Sequence, residues 1–334
     1  NKDKVHYKTI VSCLTPLGNA HGKHIVTIEG LNLNLLSPVQ KAFVEHSATQ
    51  CGFCTPGFVV SLTCHCMEEE KSTHHQAISS MSGNICRCTG YKSIERAAIE
   101  ISDALQNKNI NNPIQWLVEK NFLPKYFLSI PNQLQQIVST KSEILNNLPI
   151  IAGGTDLMVQ KHDAIAEAEL NLTYDFPQLK AISHNDNGLT LGASVTAAEL
   201  SEIKYFQNNI PEWSSFFKLI SSNPIRNMGS IAGNIVNASP IGDLSIILLA
   251  LNASVVIAAD NHQLRSVPLK IFFLDYKKLD IKETEYIQSI FIPNIKENSV
   301  FNFEKVSKRT HLDIASVNSA IFIETVAKIG RAHV

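Results

Sequence analysis

The chain is poor in charge: Asp, Glu, Lys and Arg make up 18% of its 334 residues, and the net charge is −1. With no excess of either sign it has no electrostatic footprint for a nucleic acid or an acidic membrane. It lacks a long unbroken hydrophobic run. The longest, Leu244 to Ala259, is interrupted by Ser245, Asn252 and Ser254 and reads as a core helix leading into a strand, not as a membrane span. Residues Asn1 to Ile10 are polar and charged and show no secretory signal pattern. No G-x-G-x-x-G occurs, so a doubly wound dinucleotide fold finds no support. What is present is 44% hydrophobic residues, enough for the cores of two or three domains. The seven cysteines are an odd number with four in close pairs, which points to a reducing, cytoplasmic setting.

Those four cysteines dominate the chemistry. Gln50-Cys51-Gly52-Phe53-Cys54-Thr55-Pro56-Gly57 carries one pair and Cys86-Arg87-Cys88-Thr89-Gly90-Tyr91 the other. Four thiolates arriving as two close pairs suit a tetrahedral metal site or an iron–sulfur cluster, and the spacing leaves zinc and iron–sulfur both open. Each pair sits in a loop that runs into a helix. Thr55 is the expected cap with Pro56 at the first helical position, and Ile94, Ala97, Ala98, Ile101 and Leu105 mark the helix after the second pair. Ser37-Pro38-Val39-Gln40 has the form of a capping box opening this helical region. Cys64 and Cys66 cannot share one helix face and read as packing residues. His46, His65, His74 and His75 read as surface or packing residues without ligand-spaced partners.

The stretch 106–115, Asn-rich with Pro113, reads as a linker. Beyond it a helix is expected over Leu134 to Leu145. Then Leu148 to Ala152 reads as a buried strand closed by a Gly153-Gly154 turn, with Thr155, Asp156 and Leu157 following. Two adjacent glycines and a threonine let backbone N–H groups approach a phosphate, although strand–Gly-Gly turns are common. Asn223 to Asn234 is a second small-residue loop and runs on to Asn237-Ala-Ser-Pro-Ile-Gly-Asp243. Together the two loops suit a ligand with a pyrophosphate and a polyol; alternatively they are Gly-rich connections between core elements. Further strands are expected at 255–258, 286–292 and 317–323, and two near the start at Tyr7–Val11 and His24–Ile28. Strands and helices do not alternate strictly, so the class is α+β.

Gln-Cys-Gly-Phe-Cys-Thr-Pro-Gly followed by Gly-Asn-Ile-Cys-Arg-Cys-Thr-Gly-Tyr resembles the all-helical [2Fe–2S] domain of the xanthine dehydrogenase and molybdenum hydroxylase family. The resemblance implies that Cys51, Cys54, Cys86 and Cys88 are the four ligands of a [2Fe–2S] cluster. It also implies that Gln50 lies against a molybdopterin held by a partner. Cys13-Leu-Thr-Pro-Leu resembles the end of the family's plant-type ferredoxin domain, but the C-x4-C-x2-C loop of such a site is absent, which leaves Cys13 an orphan thiol. Ile150, Ile151, Ala152, Gly153, Gly154, Thr155, Asp156 and Leu157, with Ser230, Ile231, Ala232, Gly233 and Asn234, resemble the family's FAD pyrophosphate loops. Asp243 matches an acid near the ribityl or ribose part, and Ile220 and Ile287 match apolar contacts. Lys305 matches a flavin neighbour, with Glu304 aligning about as well.

The resemblance implies an α+β multidomain chain. Its expected order is a ferredoxin remnant (1–36), an all-helical [2Fe–2S] domain (37–106), a linker (107–115), an FAD-binding domain (116–295) and the start of a closing subdomain (296–328). The final Ile329-Gly-Arg-Ala-His-Val334 reads as translated adaptor sequence and is set aside. The implied role is that of the iron–sulfur/FAD small subunit of the family's bacterial members. Electrons would pass from a molybdopterin-binding large subunit through [2Fe–2S] to FAD and on to NAD, in a hetero-oligomer that binds neither nucleic acid nor membrane. Two alternatives remain: the same role with an aldehyde, nicotinate or aromatic-thioester substrate, and a zinc-stapled module without redox function.

Overall fold

The computed structural model describes residues 4–137, 144, 148–259, 263–326 and 329–333. The chain divides into two compact units, 1–9 with 20–138 and 10–19 with 139–334. No helix among the described residues is long and apolar enough to cross a membrane.

The first unit is helical: α1 (Pro38–Glu45), α2 (Thr55–Cys66), α3 (His74–Ser80), α4 (Lys92–Ala104), α5 (Pro113–Glu119) and α6 (Ile130–Gln135). The expected capping box forms at α1, where Ser37 Oγ accepts from the Gln40 amide and Gln40 Oε1 accepts from the Ser37 amide. An identical device at Thr73 and Gln76 opens α3. At α2 the cap lies one residue earlier than expected. Cys54 is the N-cap, Thr55 is already helical, and the Thr55 hydroxyl pairs with that of Thr49 at 2.8 Å. The apolar spacing of α4 buries Ile94, Ala97, Ala98 and Ile101 against Phe43, Phe58 and Leu62.

Two expectations fail over residues 4–127. Tyr7–Val11 and His24–Ile28 form no strands; 3₁₀ turns stand nearby, at Ser12–Leu14, Leu17–Ala20 and Ile28–Leu31. Val11 keeps extended dihedrals, but β-propensity without a neighbouring strand yields no ladder. The segment after the linker also packs differently from the expected boundary at 116. Leu117, Val118, Phe122, Leu123 and Phe127 belong to the helical core. The linker itself is anchored: Lys108, buried despite its charge, donates from Nζ to the carbonyls of Cys66 and Glu68 at the C-terminus of α2. The helix expected at 134–145 is described only to Gln135, and most of its remainder lies outside the described residues.

The second unit is α+β, as expected. A short parallel pair, β1 (Ile150–Ile151) and β2 (Asn171–Leu172), brackets the helical turns α7 (Leu157–Gln160) and α8 (His162–Ala166). Then come β3 (Ile182–Asn185) and β4 (Gly188–Gly192), and the helices α9 (Ala197–Ser201), α10 (Lys204–Asn209), α11 (Trp213–Phe217), α12 (Asn223–Met228), α13 (Ile231–Asn237) and α14 (Asp243–Ala250). The strands β5 (Ser254–Ala259) and β6 (Leu264–Pro268), helix α15 (Leu269–Phe272), the hairpin β7 (Phe273–Asp275) and β8 (Lys278–Leu279), and β9 (Glu285–Pro293) follow. Five strands form one antiparallel sheet in the order β3-β4-β9-β5-β6. Its core-facing residues, among them Leu189, Leu191, Val255, Ile257, Ile290 and Ile292, pack on α9, α11, α13 and α14.

A second antiparallel sheet closes the unit: β10 (Ser299–Val306), β11 (Val317–Val326) and β12 (Ile329–His333). The stretch 329–333, set aside in the sequence, thus pairs with β11.

Candidate functional site

The two cysteine loops lie together in the first unit. Cys51 and Cys88 Sγ atoms stand 3.6 Å apart, and Cys54 and Cys86 lie close enough to each other and to Cys51 to act on its charge. Cys51 and Cys88 are exposed, Cys54 is half-buried and Cys86 is buried. The loops aim donors at sulfur. The Thr89 hydroxyl and amide approach Cys86 Sγ at 3.2 and 3.4 Å, and they pull its thiol down to about 7. The Phe53 amide lowers Cys51, burial pushes Cys54 up to about 11, and its closeness to Cys51 raises Cys88.

The second loop is held by Tyr91, a left-handed residue (φ +69°) at the start of α4 whose hydroxyl accepts from the Cys86 amide at 3.1 Å. Among the described residues no group of three or more His, Cys, Asp or Glu side chains is placed to hold one metal ion. The four thiols are mutual neighbours across the two loops, which suits a cluster held by four cysteine thiolates.

The remaining thiols and imidazoles stay outside this arrangement. Burial pushes Cys64 and Cys66 up to about 12, and Cys66 Sγ donates to the Leu62 carbonyl. His46, His65 and His74 pair with carboxylates, Glu100, Glu68 and Asp103 respectively, partners that the sequence reading did not supply. Gln50 is exposed beside Cys51, and Phe53 is 94% exposed.

The second unit contains a cleft of about 1060 Å³. Its lining brings together most of the residues singled out above: Ile150, Ala152, Gly153, Gly154, Thr155, Asp156 and Leu157 from one loop, Ser230, Ala232, Gly233 and Asn234 from the other, and Ile220 and Ile287. Such a volume is at the upper end for small-molecule sites and suits a dinucleotide-sized ligand. Among the described residues no backbone carbonyl accepts from the amides of Gly153, Gly154, Thr155 or Asp156. Two buried polar atoms of lining residues, Thr173 Oγ1 and Asn234 Oδ1, also lack a partner. A cleft carrying uncommitted donors beside apolar Ile220 and Ile287 fits an anionic ligand with a polyol and a flat apolar part.

The glycines have an internal reason as well. A Cβ on Gly153 would stand 1.9 Å from the Met228 carbonyl oxygen, and one on Gly154 (φ +76°) 2.6 Å from Pro16 Cδ. Gly153 therefore lets the first loop pack directly on the backbone of the second. Gly153→Ala should push the loops apart, costing about 1–3 kcal/mol of stability. It should also weaken flavin binding, read by flavin fluorescence titration; wild-type affinity would show that the contact does not shape the cleft.

Four sequence candidates lie outside the lining. Ile151 and Ile231 are buried in the interior. Asp243 and Lys305 form an ion pair at 2.7 Å, in which Lys305 Nζ also donates to the Leu219 carbonyl and Asn318 Nδ2 donates to Asp243. Lining residues that the sequence reading missed include Thr173, Arg226, Asn237 and Lys277. Arg226 and Asn237 stood inside the quoted small-residue stretches. Thr173 and Lys277 had no motif around them.

Residues 124–295 match the family described as FAD binding domain in molybdopterin dehydrogenase, and residues 27–99 match the family described as [2Fe-2S] binding domain. Among curated proteins the chain is similar to xanthine dehydrogenase of Oryza sativa subsp. japonica (28% identity over 95% of this chain and 29% of that protein). It is also similar to xanthine dehydrogenase of Dictyostelium discoideum (28%, 97% and 30%) and aldehyde oxidase 1 of Oryctolagus cuniculus (26%, 95% and 29%). The chain thus spans under a third of the length of these relatives. Among solved structures it is similar to a carbon monoxide dehydrogenase from Hydrogenophaga pseudoflava, at 25% identity and a TM-score of 0.50 over 54% of this chain and 63% of that one.

Proposed function

Since the chain belongs to the family of the FAD binding domain in molybdopterin dehydrogenase, we propose that it is the electron-transfer part of a xanthine dehydrogenase. On this reading it works in the cytoplasm, in a hetero-oligomer with a molybdopterin-binding large subunit and with NAD as final acceptor. The observation that carries the reading is the presence in one chain of two thiol pairs in donor-rich loops and a dinucleotide-sized cleft. Cys51 with Cys88 and Cys54 with Cys86 would hold the [2Fe–2S] cluster, with the Thr89 and Phe53 donors stabilising charge on sulfur. The amides of Gly153 to Asp156 would take the pyrophosphate of FAD, and Thr173 Oγ1 and Asn234 Oδ1 are available to its polar chain. A [2Fe–2S] cluster passes electrons singly and a flavin collects two, so the two groups together connect one-electron transfer to hydride transfer. Exposed Gln50 and Phe53 provide a polar and an apolar contact beside the cluster for the partner's cofactor edge.

The full chain should purify coloured, with iron, sulfide and released FAD matching one cluster and one flavin. With the cognate molybdenum subunit and excess xanthine, stopped-flow should show bleaching of the cluster. Gln50→Ala should slow that bleaching several-fold and leave the cluster spectrum intact. A colourless chain, or xanthine oxidation by the chain alone, would sink the proposal. The similarity to aldehyde oxidase 1 keeps an aldehyde-oxidising partner as the second reading; bleaching by an aldehyde and not by xanthine would select it.

A further inference from the structure

Residues 10–19 lie far from the cleft loops in sequence but belong to the same compact unit. Asn19, 6% exposed, donates from Nδ2 to the Ala152 carbonyl at 2.8 Å. Pro16 closes on Gly154, where even a Cβ would have no room. The Val11 amide reaches Met228 Sδ at 3.2 Å, and the Met228 carbonyl is the group that packs on Gly153. One short segment therefore touches both loops of the cleft. The Ala152 carbonyl and the Gly153 N–H belong to a single planar trans peptide, so fixing the oxygen fixes the direction of the N–H on its opposite side.

We infer that residues 10–19 are a positioning strap for the flavin cleft, and that Asn19, by holding the Ala152 carbonyl, aims the Gly153 N–H at the ligand's pyrophosphate. This inference rests on the FAD reading above. The strap acts through the loop and touches no reacting atom, so Asn19 is a positioning residue. Its effect belongs to the phosphate end of the ligand, which separates it from a merely structural role: a ligand without pyrophosphate should not sense it.

The test uses the full chain stripped of flavin and titrated with FAD and, in parallel, with riboflavin. Asn19→Ala should weaken FAD binding roughly fivefold, the worth of one hydrogen bond, and leave riboflavin binding unchanged. Asn19→Asp, which sets an acceptor against the carbonyl, should weaken FAD further, again without effect on riboflavin. If neither variant folds, Met228→Leu, which keeps the volume and removes the sulfur acceptor, should give the same one-sided loss. FAD affinity unchanged in the folded variants, or FAD and riboflavin weakened equally, overturns the strap and leaves the FAD reading standing. A parent chain that binds no FAD overturns both.

Discussion

Cys86→Ser is expected to abolish the iron–sulfur cluster and to take much of the helical unit's stability with it. Cys86 is the buried member of the four thiols and receives both the hydroxyl and the amide of Thr89. Its own amide is tied to Tyr91, which opens α4. A serine hydroxyl cannot supply the thiolate, and metal binding and folding are coupled. For structural metal sites that coupling is on the order of 10 kcal/mol. Iron and sulfide content should fall to background, and the thermal midpoint of the helical unit should drop sharply. Cys66→Ser is the control, because that thiol is buried in α2, donates to Leu62 and is far above its ordinary value. It should keep full iron and lose about 1 kcal/mol. Full iron in the Cys86 variant would remove that residue from the ligand set.

The second large effect is expected at Asp243. Its ion pair with Lys305 is nearly enclosed, with side-chain exposures of 11% and 2%. Asp243→Leu would leave a buried ammonium facing only the Leu219 carbonyl, at a cost of about 3–5 kcal/mol. Lys305→Met should cost a similar amount by stranding the carboxylate against Asn318. Replacing both, as Asp243→Leu with Lys305→Met, should recover most of the loss, because paired burial of two charges gains little over an apolar contact. Urea denaturation of the three variants closes the cycle. Additive losses in the double variant would mean that the pair does not act as a unit. A fall in flavin affinity beyond the loss of stability would return these residues to the ligand contacts that the sequence suggested.

The helical unit was the more legible of the two. Capping residues and a 3.6-residue apolar period are local signals, and they placed α1 and the buried face of α4. The cysteine spacing placed both loops, but not which thiols meet across them; that depends on the packing of α2 against its neighbours. The N-terminal β-type runs misled because a strand needs a partner that local pattern cannot supply. In the second unit the glycine loops were visible, while the reason for their glycines was not. Gly153 answers to Met228 and Gly154 to Pro16, contacts spanning long stretches of sequence. Ile287 had no motif because the register of β9 shifts at a bulge opposite Val256 and Ile257. The shift places Ile287 and Ile290, three residues apart, both in the interior, which a period of two does not predict.

The strap formed by residues 10–19 also constrains the order of events during synthesis. The Val11 amide and its acceptor Met228 are 217 residues apart in the chain. At roughly 5–20 residues per second, on the order of 10–40 s separates their appearance on the ribosome. Over that interval the helical unit, encoded in between, can fold first while the strap waits without its partner. The second unit then closes late and over a long loop, a slow step by contact order. A chain cut to begin at residue 139 would be missing a piece of the unit it was meant to isolate.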